Sequence, residues 1–306
     1  IIDKLIKSKT ESYKDRQNFY PTGKVLIYSE FRESYSGGVN FISKLLDIPH
    51  LKFKYLFKLF TRDIIDIIFK TEDEKAQYKN LHFNSNLKNK IVQEYIRILD
   101  ENPEYKLSVY YLWQASNNIS NKENYLAHII YDSDENKDGI LLRTLFITKS
   151  GSEGISLKAV RQVHIIEPFW QETRTKQVIG RSIRYKSHDQ LDIKNHSVYV
   201  YQYLSVFNKN MDSLLAGDNN LSSDQYIYSV GKKKQSIIDS FNNILKSVSL
   251  DCVYSNEPMQ CYSFNNISYY NSNKKPIYLH NPWQLNIETK THKGLLIRYN
   301  NTNYII

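Results

Sequence analysis

The chain has 306 residues and a net charge of +9, from 41 Lys and Arg against 32 Asp and Glu; it is long enough to bury a sizeable core and basic enough to favour a polyanionic partner. No stretch approaches the eighteen or so apolar residues of a membrane-spanning helix, and the charged start IIDKLIKSKTESYKDR carries no signal-peptide pattern. The two cysteines, Cys252 and Cys261, are too few for a disulfide framework and match no zinc spacing, which points to a reducing compartment.

In chain order, the first expected strand is KVLIYSEF (24–31), followed by the helical stretch GGVNFISKLLD. From about 50 to 105 the strand–helix alternation is poor and charged pieces such as KTEDEKAQYKN predict a partly solvated helical insertion, with NLKNKIVQEYIRILD as its last helix. Four further runs rich in β-branched and aromatic residues read as buried strands: LSVYYLWQ (107–114), TLFITKS (144–150), QVHIIEPF (162–169) and SVYVYQYL (197–204). The helical stretch QETRTKQVIGRSIR separates the last two. Strands alternating with helices predict an α/β fold, a parallel sheet flanked by helices, whose ligands gather at the carboxyl ends of the strands. Beyond 204, Ser222 and Gln225 form a capping-box signature, and Ile237, Ile238, Phe241, Ile244, Leu245 and Val248 mark one apolar helical stripe. Gly231 suggests a break before that stripe. The last fifty residues, with Pro258, Pro276 and Pro282, read as a small β-rich tail.

Three segments carry the chemistry. In VLIYSEFRESYSGG a strand runs into Ser29, Glu30 and Phe31; in LFITKSGSEGISLK a strand opens into a Gly and Ser loop whose N–H groups suit a phosphate. In QVIGRSIR, Arg181 and Arg184 stand three apart, and Gln177 lies four before Arg181; on a helix this spacing predicts one shared face. Two guanidiniums together suit a phosphate chain, because each is a planar fork of donors that cannot lose its charge. The plainer alternative pairs them with Glu172 or Asp189 on the surface. Trp170 is expected to cap the core rather than stack on a base, Lys232–Lys234 to form a solvated helix face, and His188 and His196 not to bind metal. No G-x-G-x-x-G follows the first strand, which argues against a dinucleotide-binding domain.

The three segments, in this order, resemble motifs IV (VLIYSEF), V (TKSGSEGISL) and VI (QVIGRSIR) of the second RecA-like domain of superfamily 2 helicases and translocases. Over roughly 20–255 the chain is most similar to helicases of nucleocytoplasmic large DNA viruses, of the poxvirus early transcription factor and nucleoside triphosphate phosphohydrolase I types, and to those of yeast linear plasmids. The resemblance implies a RecA-like domain at 21–205 with its insertion at about 50–105. It further implies a linker from an upstream lobe at 1–20; the helical extension at 206–250 and the β-rich tail at 251–306 rest on the residue pattern.

By the same resemblance, Arg181 and Arg184 are catalytic arginines that reach the γ-phosphate of ATP. Gly151, Glu153, Gly154, Gln177 and Gly180 would line the ATP site, and Ser29, Phe31, Thr148, Lys149 and Ser150 the nucleic-acid track. The departure from the pattern is an absence: the chain holds no G-x-x-x-x-G-K-[ST] and no acidic box after a strand. It therefore carries half of an ATPase site and is expected not to hydrolyse ATP alone. The Mg²⁺ ligands are expected from an N-terminal RecA-like lobe of the same polypeptide, since the chain also lacks an initiating Met. DNA or RNA and a viral RNA polymerase are the expected partners, in the host cytoplasm, viral factory or virion. The alternative is a non-enzymatic RecA-like scaffold that binds nucleic acid or a polymerase.

Overall fold

The computed structural model describes residues 1–15, 18–30, 38–113, 118–149, 155–207 and 221–249, and four short strands beyond them. The chain divides into two compact units, Ile1–Gly231 and Lys232–Ile306.

The first unit opens with helix α1 (Ile2–Lys7) and the antiparallel pair β1 (Tyr13–Asp15) and β2 (Asn18–Tyr20). Strand β3 (Lys24–Tyr28) and helix α2 (Gly38–Leu46) follow, then β4 (Lys54–Tyr55), α3 (Leu56–Leu59), α4 (Arg62–Ile68), α5 (Glu72–Asn80) and α6 (Ser85–Glu101). Next come β5 (Val109–Leu112), α7 (Asn118–Asp132), β6 (Thr144–Ile147), β7 (Val160–Ile165), α8 (Glu172–Ser182) and β8 (Tyr199–Gln202). Helix α9 (Ser223–Val248) runs across the boundary between the units.

Six strands form one sheet in the order β4-β5-β6-β3-β7-β8, every pair parallel. This is the expected α/β fold, with all five predicted strands present. The sixth, β4, is two residues long, too short to leave a period in the sequence. Alternation along the central strands sorts side chains onto two faces. Leu26, Tyr111, Leu145, Ile147, Val163 and Ile165 join the core built with α6, α7 and α8. Val25, Ile27, Tyr110 and Phe146 join a second cluster with Leu5 of α1 and Val39 and Leu46 of α2. Each such side chain removed from water contributes roughly 1.5–3 kcal/mol, so the sheet is fixed from both sides.

The segment read as an insertion supplies the edge strand β4, and Leu56, Phe60, Ile65, Leu87, Ile91 and Tyr95 of its helices are buried in the larger core. The described part of 1–20, expected as a linker, is folded against the sheet at 1–15 and 18–20. The fully buried Arg143 donates to the carbonyls of Leu5 (2.7 Å), Ser8 (2.7 Å) and Gly23 (3.3 Å). Tyr20 stacks on Tyr201 at 4.3 Å between ring centres, and Tyr201 donates to the carbonyl of Phe19. Below these rings the buried His164 bonds the Tyr203 hydroxyl (2.8 Å) and Gln162 Oε1 (3.0 Å).

The capping box at the start of α9 is formed as expected: Gln225 donates its N–H to Ser222 Oγ at 3.1 Å, and Ser222 donates its N–H to Gln225 Oε1 at 2.9 Å. Gly231 does not break the helix. A Cβ there would stand 3.1 Å from the carbonyl oxygen of Phe169, so this glycine lets α9 lie directly against the Phe169–Trp170 backbone. In the second unit, Lys232–Lys234 and the apolar stripe from Ile237 to Val248 are exposed on α9. The two antiparallel pairs β9 (Ser268–Tyr270) with β10 (Pro276–Tyr278) and β11 (Leu296–Tyr299) with β12 (Thr302–Ile305) belong to this unit. Cys252 and Cys261 lie outside the described residues.

Candidate functional site

The parallel strands deliver three of the sequence motifs to one end of the sheet. Tyr28 is in register with Ile147 of β6 and Ile165 of β7, so Ser29 and Glu30 leave β3 between Thr148 and Glu167. Ser29 donates its N–H to the carbonyl of Ile147 at 3.3 Å and its hydroxyl to Glu167 Oε1 at 2.5 Å; Glu30 donates its N–H to the same carboxylate oxygen at 2.6 Å. Ser29 and Thr148, expected along a nucleic-acid track, are buried, whereas Lys149 is exposed. Phe31, Ser150, Gly151, Glu153 and Gly154 lie outside the described residues.

Helix α8 begins just beyond β7. Arg174, Val178 and Arg181 recur at helical spacing, with Val178 buried, the two arginines half-buried and Gln177 exposed beside them. Gly180 on the same helix has open space where a side chain would stand. Arg181 is held from both its ends: its guanidinium donates to the carbonyl of Ile155 at 3.2 Å, and its own carbonyl accepts the N–H of Leu157 at 3.1 Å. Ile155 and Leu157 open the segment that leaves the Gly and Ser loop, so helix α8 and the exit of that loop are joined directly. Two more contacts fix that exit, from His128 Nε2 to the carbonyl of Ser156 (3.1 Å) and from Lys158 N–H to Asp132 Oδ1 (3.0 Å).

Arg184 does not share a helix face with Arg181. Helix α8 ends at Ser182, and Arg184 is exposed beyond it, its carbonyl accepting the N–H of Ser187 at 2.9 Å. The cause is tertiary. Continuing the helix would require the carbonyls of Arg181 and Ser182 to accept from the next turn, but one already takes the Leu157 N–H and the other is approached by the Ser187 hydroxyl at 3.2 Å. Gln177 and Arg181 do lie on one side of the helix, and Gln177 is free of the core.

The sequence reading missed a carboxylate and arginine network beside these motifs. Glu30 accepts from Tyr28 Oη at 2.6 Å and pairs with Arg174, whose guanidinium lies 4.4 Å from the centre of the Phe169 ring. The hydrogen bond to Glu30 raises the pKa of Arg174, and burial, with Glu30 beside it, raises that of Tyr28. This network ties the end of β3 to the first turn of α8. Glu30 was visible as an acidic residue at a strand end, but its partner stands 144 residues away.

Metal chemistry has no described set of ligands. Among the described residues no group of three His, Cys, Asp or Glu could hold an ion. Glu30 and Glu167 are engaged as above; His188 Nε2 meets the carbonyl of Val160 and His196 Nε2 that of Leu191, each at 2.8 Å. Trp170 belongs to neither core cluster; it is 44% exposed and meets Tyr226 edge to face at 6.3 Å. Among the described residues no helix is long and apolar enough to cross a membrane.

Comparison with known proteins supplies the relatives. No family profile matches the chain. It is 26% identical over 281 residues to the termination factor NPH-I homolog of African swine fever virus (isolate Tick/Malawi/Lil 20-1/1983), covering 90% of this chain and 37% of that protein. It is 30% identical over 177 residues to the putative ATP-dependent RNA helicase L538 of Acanthamoeba polyphaga mimivirus, which is 58% of this chain and 35% of that protein. To nucleoside triphosphatase I of Heliothis armigera entomopoxvirus it is 36% identical over 124 residues, 40% of this chain and 18% of the relative. The resemblance read in the sequence therefore holds: the chain is related to viral proteins of the superfamily 2 helicase type, and it spans little more than a third of the length of the first two.

Proposed function

We propose that this relative of viral helicase-type nucleoside triphosphatases is the C-terminal motor lobe of an ATP-dependent nucleic-acid translocase or helicase acting in viral transcription or replication. The observation that carries the reading is the pair of hydrogen bonds between Arg181 and the segment leaving the Gly and Ser loop. It joins a guanidinium suited to a transferring phosphoryl group to a loop whose backbone suits phosphates. The end of the parallel sheet, where such ligands gather, is the place for both.

In this reading Arg181 stabilises negative charge developing on the γ-phosphate, as an arginine finger does. Gln177 and Gly180 border the nucleotide on the same helix, and Gly151, Glu153 and Gly154 are assigned to the same ligand. Arg184, outside the helix, contributes a second cation from the adjoining turn. Lys149 and Ser150 bind the nucleic-acid backbone, and the buried Ser29 and Thr148 shape the floor beneath them. Phe31 extends this track. Bound Mg²⁺ would neutralise phosphate charge, and since the described residues offer no ligand set its ligands are assigned to an N-terminal RecA-like lobe of the same polypeptide. A viral RNA polymerase is the proposed protein partner, and the host cytoplasm or virion the setting.

The test uses the full polypeptide. Arg181→Ala should abolish nucleic-acid-stimulated ATP hydrolysis while circular dichroism shows an unchanged fold. Unchanged turnover would sink the assignment. A wild-type polypeptide that binds nucleic acid but hydrolyses no nucleoside triphosphate would instead support the scaffold reading.

A further inference from the structure

A second aromatic site stands apart from the arginine helix, on the β7 side of the sheet end. Trp170 and Tyr226 meet edge to face at 6.3 Å with their planes at 83°. Both remain well exposed, 44% and 53%. With Leu221 and Ile227 they line an open hollow of about 410 Å³ whose remaining lining is Ser222 and Ser223. A hollow of this size suits a small planar group, and its polar lining is hydroxyl, without a charged side chain.

The hollow is built, not incidental. Its wall is the first turn of α9, held by the Ser222–Gln225 capping box and by the Ser222 hydroxyl bonded to the carbonyl of Ser205. Gly231 seats the next turns of the helix on Phe169 and Trp170. Phe169, immediately before Trp170, carries Arg174 on its ring, and Arg174 is paired with Glu30 at the end of β3. The aromatic hollow is thus tied by two consecutive residues to the strand ends where phosphates are expected.

We infer that Trp170 and Tyr226 form a stacking site for one unpaired nucleobase of a single-stranded nucleic acid whose phosphates run past the neighbouring strand ends. The inference rests on the nucleic-acid reading above. A base offers a flat apolar face for the indole and edge groups for the serine hydroxyls, and such stacking tolerates any sequence. The basic chain, at +9, supplies the attraction for the backbone. A peptide helix would need a longer apolar groove than this hollow, with anchors at successive turns.

The experiment compares the full polypeptide, its Trp170→Ala variant and its Trp170→Phe variant. Each is titrated with a single-stranded oligothymidylate and with an abasic strand of the same length, and a strand carrying 5-iodouracil is photocrosslinked and the adduct mapped. Wild type should prefer the base-bearing strand by roughly tenfold, Trp170→Ala should lose that preference while keeping its affinity for the abasic strand, and Trp170→Phe should retain most of it. The crosslink should fall on Trp170 or Tyr226. Equal preference in wild type and Trp170→Ala, or a crosslink elsewhere, overturns the stacking site while strand binding itself upholds the nucleic-acid reading. Failure of wild type to bind either strand overturns both. Loss of a polymerase contact in Trp170→Ala with unchanged strand binding assigns the hollow to a protein instead.

Discussion

Among single residues, Arg181 and His164 show how burial decides what a polar group can do. Arg181 keeps one edge of its guanidinium on the Ile155 carbonyl, so its position is set before any ligand arrives; preorganised donors of this kind lose little on binding. His164 is the opposite case, a ring whose two nitrogens are both satisfied inside the protein. Burial, with the charges of the N-terminus and Arg143 as smaller causes, lowers its pKa from 6.5 to about 3. The unfolded chain therefore takes up a proton first as the pH falls. The folded state is favoured fully above about 6.5 and loses stability from there down towards 3, by up to ~1.4 kcal/mol per pH unit. Urea unfolding at several pH values should show this slope in the wild type and a shallower one in His164→Gln; parallel slopes would refute the assignment.

At the level of elements, the glycines inside α8 and α9 make a matched pair. Alanine is favoured over glycine in a helix interior by ~1 kcal/mol. Gly180 in α8 has open space for a Cβ, whereas at Gly231 in α9 the atom would meet the Phe169 carbonyl at 3.1 Å, and backbone does not yield cheaply. Gly180→Ala should raise the melting temperature, and Gly231→Ala should fail to raise it; equal gains would mean that α9 does not rest on that carbonyl. If Gly180 borders the nucleotide, its alanine variant should also lower ATP turnover while stabilising the fold. The same elements show what the sequence made legible. Strands such as VLIY (25–28) announced themselves because both sheet faces are covered and side chains on each face pack into a core. The end of α8 was invisible, because Leu157 and Ser187, not the helix residues, stop it. Gly231 read as a break because a sequence does not reveal what packs against a helix. The Glu30–Arg174 pair escaped notice since its members meet only after the chain has crossed the sheet.

For the molecule as a whole, the excess of nine positive charges makes binding of a polyanion a matter of salt. Each phosphate neutralised on a single strand contributes about 0.7 to the slope of log affinity against log salt. Lys149→Ala should lower the magnitude of that slope by about that amount while leaving the fold unchanged, because the residue is exposed at a strand end. Titrations at four salt concentrations check this; an unaltered slope would remove Lys149 from the phosphate track.

The anchoring of the first eight residues has a mechanical meaning. Arg143 stands immediately before β6 and grips the carbonyls of Leu5 and Ser8. Tension applied to the front of the chain is thus taken up by a guanidinium fork at the amino end of the central strands. Motif V and helix α8 are placed from the carboxyl end of the same strands. The load path enters at one end of the sheet, and the proposed nucleotide site lies at the other. The chain can be hauled on without the strain passing first through the groups that must keep their aim.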